Sequence, residues 1–187
     1  MKALPKAHVK EVLPAWSKAH RVFAPVRKAQ GDVLFDRFDA ASFTLDYRKP
    51  PLPPKSAYLP HNEAIYQVDE GGYRQVLSAE PTVLFGIRAC DAAGIAQSTH
   101  FMGRDRDDLY YRRKAELTFR IVAACAGPQN ETCFCTTMRS GPFAKSGFDL
   151  QLYDDGDRLL IEVGSEKGAD LLEGPLFQDV KDAPGGR

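Results

Sequence analysis

Residues 81–102 read PTVLFGIRACDAAGIAQSTHFM, an apolar run followed at once by a stretch of different period. The run bounded by Pro81 has strand length, ends at Cys90 and shows no polar alternation, the pattern of a strand covered on both faces. Asp91 then stands where a helix N-cap belongs, and Ile95, Thr99 and Met102 follow at helical spacing. Further on, DRDDLYYRRKAELTF (105–119) reads as a second, charge-rich helix, and FRIVAAC (119–125) as another buried strand ending at Cys125. Strand, helix, helix, strand makes a βαβ-like unit with a parallel pair, so both cysteines are expected at C-terminal strand ends. Binding sites in open α/β sheets lie at that edge.

Working outward, HVKEVLPAWSK predicts a short helix interrupted by Pro14. RVFAPVRKAQGDVLFDRF predicts two strands around the turn Gln30-Gly31-Asp32. YRKPPLPPKSAYLP is proline-rich, which fixes φ and removes backbone donors, and the flanking Tyr47 and Tyr58 favour a loop docked on the surface over a free linker. FDLQLYDDGDRLLIEVGSEKGADLLEG predicts a hairpin turning at Asp-Asp-Gly-Asp and a short helix beginning near Ser165. The expected fold is therefore α/β: a mixed sheet with a βαβ-like unit and flanking β-hairpins, one domain over residues 1–173. QDVKDAPGGR has no periodicity, so residues 174–187 are expected as a flexible tail.

A chain of 187 residues suits one domain, and its 43% hydrophobic content suffices for a core. Lysine plus arginine balances aspartate plus glutamate at 25 each, so the basic excess needed for non-specific nucleic-acid or anionic-membrane binding is missing. No segment approaches the roughly 18–20 apolar residues of a membrane span. MKALPKAHVKEVLPAWSKAHR also lacks the apolar run of a secretory signal. The cytoplasm is the expected compartment, and its reducing conditions direct clustered cysteines towards metal binding or redox chemistry rather than structural disulfides.

The four cysteines, Cys90, Cys125, Cys133 and Cys135, follow the order C-x34-C-x7-C-x-C. Cys90 and Cys125, taken singly, are equally compatible with a small buried hydrophobe. Cys133 and Cys135 are not, because they lie in the loop-like GPQNETCFCTTM, where residues two apart can converge on one object. If both strand ends open on the same edge, the four thiols share one site. Four thiolates suit zinc or an iron–sulfur cluster. Structural zinc prefers two C-x2–4-C knuckles, and this chain has one tight pair of a different spacing. A cubane tolerates irregular spacing, with Phe134 and Met138 placed to exclude water. A thiol redox pair without metal is the third alternative.

Around these cysteines, Arg88 is placed either to offset negative charge or as a strand-end surface residue. Asp91 is a helix cap, a hydrogen-bonding neighbour or an oxygen ligand. Tyr110 to Lys114 reads as a charged helix face, with partner docking as the minority reading. Gly164 and Gly168, around Glu166 and Lys167, hint at close backbone approach to a ligand. There is no G-x-G-x-x-G or P-loop. His8, His20, His61 and His100 are scattered singly, and no nucleophile–base arrangement marks a stand-alone enzyme.

VLFGIRACDAAGI, YYRRKAE, CAGPQNETCFCTTM, GPFAKSGFDLQLYD and LLIEVGSEKG together resemble the beta subunit of sulfhydrogenase-type nickel–iron hydrogenases and the A subunit of anaerobic sulfite reductase. RKPPLPPKSAYLPHNEAIY resembles the proline-rich segment of the same family, which extends to iron–sulfur proteins accompanying heterodisulfide-reductase-like complexes. The resemblance runs from about Val33 to Leu172. It implies a subunit of anaerobic metabolism that carries a [4Fe-4S] cluster on Cys90, Cys125, Cys133 and Cys135. Such a subunit relays electrons between a flavoprotein partner and a catalytic oxidoreductase subunit. Family members usually continue into a ferredoxin-like part with two C-x2-C-x2-C-x3-C runs, and this sequence ends at APGGR without them. The resemblance is thus to the N-terminal part, of a naturally short or a truncated chain, and a ferredoxin-like protein or module is an expected partner. The alternative is a zinc-stapled or metal-free scaffold that docks a redox complex.

Overall fold

The computed structural model describes residues 1–48 and 50–181. Its elements run β1 (Lys2–Pro5), α1 (Val9–Trp16), β2 (Arg21–Arg27), β3 (Val33–Arg37), β4 (Tyr66–Asp69), β5 (Gly72–Gln75) and β6 (Thr82–Ile87). They continue through α2 (Ala89–Arg104), α3 (Leu109–Glu116), β7 (Thr118–Ala123), β8 (Leu150–Asp155), β9 (Arg158–Val163), α4 (Glu166–Asp170) and β10 (Gln178–Asp179). One mixed sheet has the order β10-β1-β9-β8-β7-β6-β2-β3, and β4 and β5 form a separate two-stranded sheet. The centre, β2-β6-β7-β8, is parallel, and the outer pairs are antiparallel. The expected α/β class, the parallel β6–β7 pair and both hairpins, β2–β3 and β8–β9, are all present. Among the described residues, no helix is long and apolar enough to cross a membrane.

Every residue of β6 is buried, because apolar side chains cover the sheet on both faces. On one face Val9, Val12 and Leu13 of α1, at i, i+3 and i+4, pack with Phe85, Ile121, Leu150 and Ile161. On the other, Ala92 and Ile95 of α2 and Tyr111 of α3 pack with Leu84, Ile87 and Val122. Leu84 and Ile87 sharing a face breaks the two-residue alternation of a strand. The cause is Gly86, at φ +82°, where the β6–β7 register shifts between Phe85 and Ile87. This is a bulge: one extra residue turns Ile87 to the helix side and re-aims the chain entering α2. The Tyr47 hydroxyl donates to the Gly86 carbonyl.

The proline-rich segment is docked, as expected. Ala57 and Tyr58 are buried, and the Tyr58 ring stacks on Tyr111 with centroids 5.6 Å apart. The charged face expected of Tyr110 to Lys114 needs correction. Arg112 and Arg113 do lie outward, but Lys114 is only 7% exposed and donates to Glu63 at 2.6 and 2.7 Å. Tyr110 donates to the Ile65 carbonyl. Helix α3 is thereby the fastening for the whole segment leading into β4.

Gly164 and Gly168 are also corrected. Their close approach is internal: a Cβ on Gly164 would meet the Phe148 carbonyl and ring, and one on Gly168 the Asp149 backbone. Asp149, 1% exposed, accepts the Arg120 backbone N–H and the Ser165 hydroxyl, each at 2.7 Å, which ties β7 to the start of α4. Of residues 174–181, Phe177 packs into the core and Gln178–Asp179 pair with Ala3–Lys2. Residues 182–187 of the expected tail lie outside the described residues.

Gly86→Ala tests the bulge. Its Cβ would lie 2.7 Å from the Tyr47 hydroxyl oxygen in a backbone conformation that L side chains rarely adopt. The expected loss is about 1–3 kcal/mol of stability, read as a lower urea midpoint with unchanged slope; an unchanged midpoint would contradict the strand geometry.

Candidate functional site

Beyond the C-terminal end of β6, the first turn of α2, residues 124 and 125 just past β7 and the loop 126–149 enclose a cavity of about 860 Å³. All four cysteines line it, together with Arg88, Asp91, Gly94, Gln129, Phe134, Met138 and Pro142. Each cysteine is half-buried and none is in a disulfide. Three separate stretches deliver them: Cys90 from α2, Cys125 just past β7, and Cys133 with Cys135 from the loop. Among the described residues, no three His, Cys, Asp or Glu side chains converge closely enough to hold a single metal ion.

Helix α2 begins three residues earlier than its sequence predicts. Its N-cap is Arg88, in extended conformation at φ −84° and ψ 159°, and Asp91 is the third helical residue. The Asp91 carboxylate accepts the backbone N–H of Arg88 at 3.1 Å, the acidic half of a capping box. Cys90 consequently stands in the first turn of the helix rather than at the strand end. Cys125 likewise lies two residues beyond β7, and its backbone N–H donates to the Pro142 carbonyl at 3.0 Å.

The loop is shaped by short-range hydrogen bonds. The Asn130 side chain accepts from the Thr132 backbone and hydroxyl at 3.1 and 2.9 Å, an Asx turn that sets the approach to Cys133. The Gln129 backbone N–H donates to the Cys133 Sγ at 3.3 Å, and the Cys133 thiol faces Asn130 Oδ1 at 3.4 Å. Ser140 N–H closes on the Cys135 carbonyl at 2.8 Å. Gly141 passes so near Cys135 that an added Cβ would lie 2.9 Å from its Sγ. Phe134 and Met138 do line the cavity, but each remains 63% exposed at its rim.

Arg88 is 8% exposed and so is not the surface residue that one sequence reading allowed. Its Nη2 donates to the Tyr47 carbonyl at 2.8 Å and to the Gln129 side-chain oxygen at 3.4 Å. The guanidinium carbon lies 4.3 Å from the Tyr47 ring centroid. Burial pushes the Cys125 thiol up from its ordinary value, Arg88 opposes that rise, and the nearby Cys135 and Cys133 add to it. Burial likewise raises the Tyr47 phenol far above its usual range, with Arg88 again pulling the other way. The buried cation, its tyrosine and the near approach of Gly141 were not legible from the cysteine spacing. The Gly141-Pro142 pair was the one local signal of a tight turn there. None of the four histidines lines the cavity.

Over 163 residues the chain is 30% identical to Sulfhydrogenase 2 subunit beta of Pyrococcus furiosus. The match covers 86% of this chain and 48% of that protein, so the chain spans about half the length of the curated relative it matches. No family model and no solved structure matches the chain.

A buried thiol with a raised pKa holds less thiolate at a given pH, and the thiolate is the nucleophile. In the metal-free chain, Cys125 is expected to alkylate more slowly at pH 8 than an unhindered cysteine. Its rate should keep rising at pH values where ordinary thiols have levelled off. Iodoacetamide labelling read by peptide mapping measures this, and a rate equal to that of a small-molecule thiol would refute it.

Proposed function

We propose that this chain is an iron–sulfur electron-transfer subunit of a multi-subunit redox complex. One [4Fe-4S] cluster is held by Cys90, Cys125, Cys133 and Cys135. The single observation that carries this reading is that four cysteines from three separate stretches line one cavity. The donor set suits the group: thiolates are the usual ligands of such clusters, and a cubane asks one ligand of each iron. A cavity of about 860 Å³ leaves room for an inorganic core between thiols that stand apart. A single zinc draws four donors to about 2.3 Å of one point, a poorer match to that spread, so the cluster is preferred over the zinc-stapled scaffold. When bound, such a cluster takes up and releases one electron at a time.

The chain's own residues supply the rest of the site. Helix α2 fixes Cys90, the Asn130 turn fixes Cys133, and Arg88 places a cation beside Cys125. Phe134 and Met138 form an apolar rim against which a partner closes the cavity. The likeness to a protein named as a hydrogenase subunit supports the assignment to a redox complex. In this proposal the partners are a flavoprotein, a catalytic oxidoreductase subunit and a ferredoxin-like protein or module, in the cytoplasm. The chain relays electrons among them and is not itself the catalyst.

Anaerobic reconstitution followed by iron and sulfide analysis tests the reading. About four of each per chain are expected, with broad visible absorbance that bleaches on reduction. Alanine at any one of Cys90, Cys125, Cys133 or Cys135 should cut the iron content at least by half. Fewer than about three irons per chain, or one zinc in their place, would sink the cluster assignment.

A further inference from the structure

Among the described residues lining the cysteine cavity, Arg88 is the only lysine or arginine. Burying a guanidinium is costly unless negative charge or acceptors compensate it. The acceptors of its Nη2, the Tyr47 carbonyl and the Gln129 amide oxygen, are both neutral. The Nε is buried and has no hydrogen-bond partner. The group faces the Cys125 thiol, while the Asp91 carboxylate receives the Arg88 backbone N–H. Tyr47 holds the guanidinium from two directions, by its carbonyl and by its ring at 4.3 Å.

We propose that Arg88, held in place by Tyr47, is the fixed counter-charge of this cavity and raises the reduction potential of the thiolate-bound group within it. The inference rests on the cluster reading above. A cluster with four thiolates gains one more negative charge on reduction. A fixed cation beside it therefore stabilises the reduced form more than the oxidised form, and weak solvent screening in a buried site enlarges that difference. Tyr47 is a positioning residue. It stands at the head of the proline-rich segment, so the docking of that segment sets where the charge sits.

The test is a dye-mediated redox titration of the reconstituted full chain, followed by electron paramagnetic resonance of the reduced cluster, with iron content measured on each sample. In Arg88→Gln the reduction equilibrium should shift at least about tenfold towards the oxidised form, a fall of about 59 mV for one electron. Arg88→Lys should keep most of the wild-type potential. Tyr47→Leu should shift in the same direction as Arg88→Gln but less. Tyr47→Phe, which keeps the ring beside the guanidinium but loses the hydroxyl's bond to the Gly86 carbonyl, should shift less than Tyr47→Leu. Full iron content with an unchanged potential in Arg88→Gln overturns the inference and leaves the cluster reading intact. If Arg88→Gln loses its iron, an unchanged potential in Tyr47→Leu overturns it instead. A wild-type chain that takes up no iron overturns both.

Discussion

The geometry of the molecule turns on one backbone residue in its most buried strand. Gly86, at φ +82°, inserts the extra residue that breaks the alternation of β6 and hands Ile87 to the face covered by α2 and α3. Without that step Ile87 would point at the α1 side, and the chain would enter α2 at a different angle. Arg88, Cys90 and Asp91 all follow within five residues, so the bulge sets the position of one wall of the cysteine cavity. Only glycine occupies that conformation without cost, and the same carbonyl receives the Tyr47 hydroxyl. Fold and site thus share a single point of constraint.

The cavity joins two kinds of structure. One wall is rigid, built from a helix N-terminus and the ends of paired strands. The other is loop, held by Asx-turn hydrogen bonds and by the passage of Gly141 over Cys135. Charge follows the same division. The rigid wall carries the buried guanidinium, and the loop wall carries two of the thiols and the exposed apolar rim. A buried cation facing a group of thiols suits a negatively charged occupant.

Much of this was legible in the sequence, and the gaps have physical causes. The central strands, α2, α3 and both hairpins of the main sheet follow from apolar runs, helical spacing and turn residues, all local signals. Asp91 was misplaced because aspartate serves equally as an N-cap and as the acid of a capping box. Arginine gives no sign of being an N-cap. Lys114 read as exposed because its partner, Glu63, lies 51 residues away, and no pattern near α3 announces it. The strand β1 is four residues ending in Pro5, too short to show a period. The β4–β5 hairpin exposes nearly every residue and so lacks the apolar alternation that marks a half-buried strand. The cysteines were identifiable as a group by spacing, and the parallel β6–β7 pairing that the sequence predicts brings Cys90 and Cys125 to one edge of the sheet.

The distribution of those thiols along the chain bears on the order of assembly. Cys90 and Cys125 are separated by the rest of α2, by α3 and by β7, so nothing local keeps them together before the sheet exists. An occupant held by all four thiols would find its complete binding site only on the folded chain, so its binding would be coupled to folding. Occupancy then stabilises the folded state by mass action. A loaded population would then resist proteolysis better than an empty one.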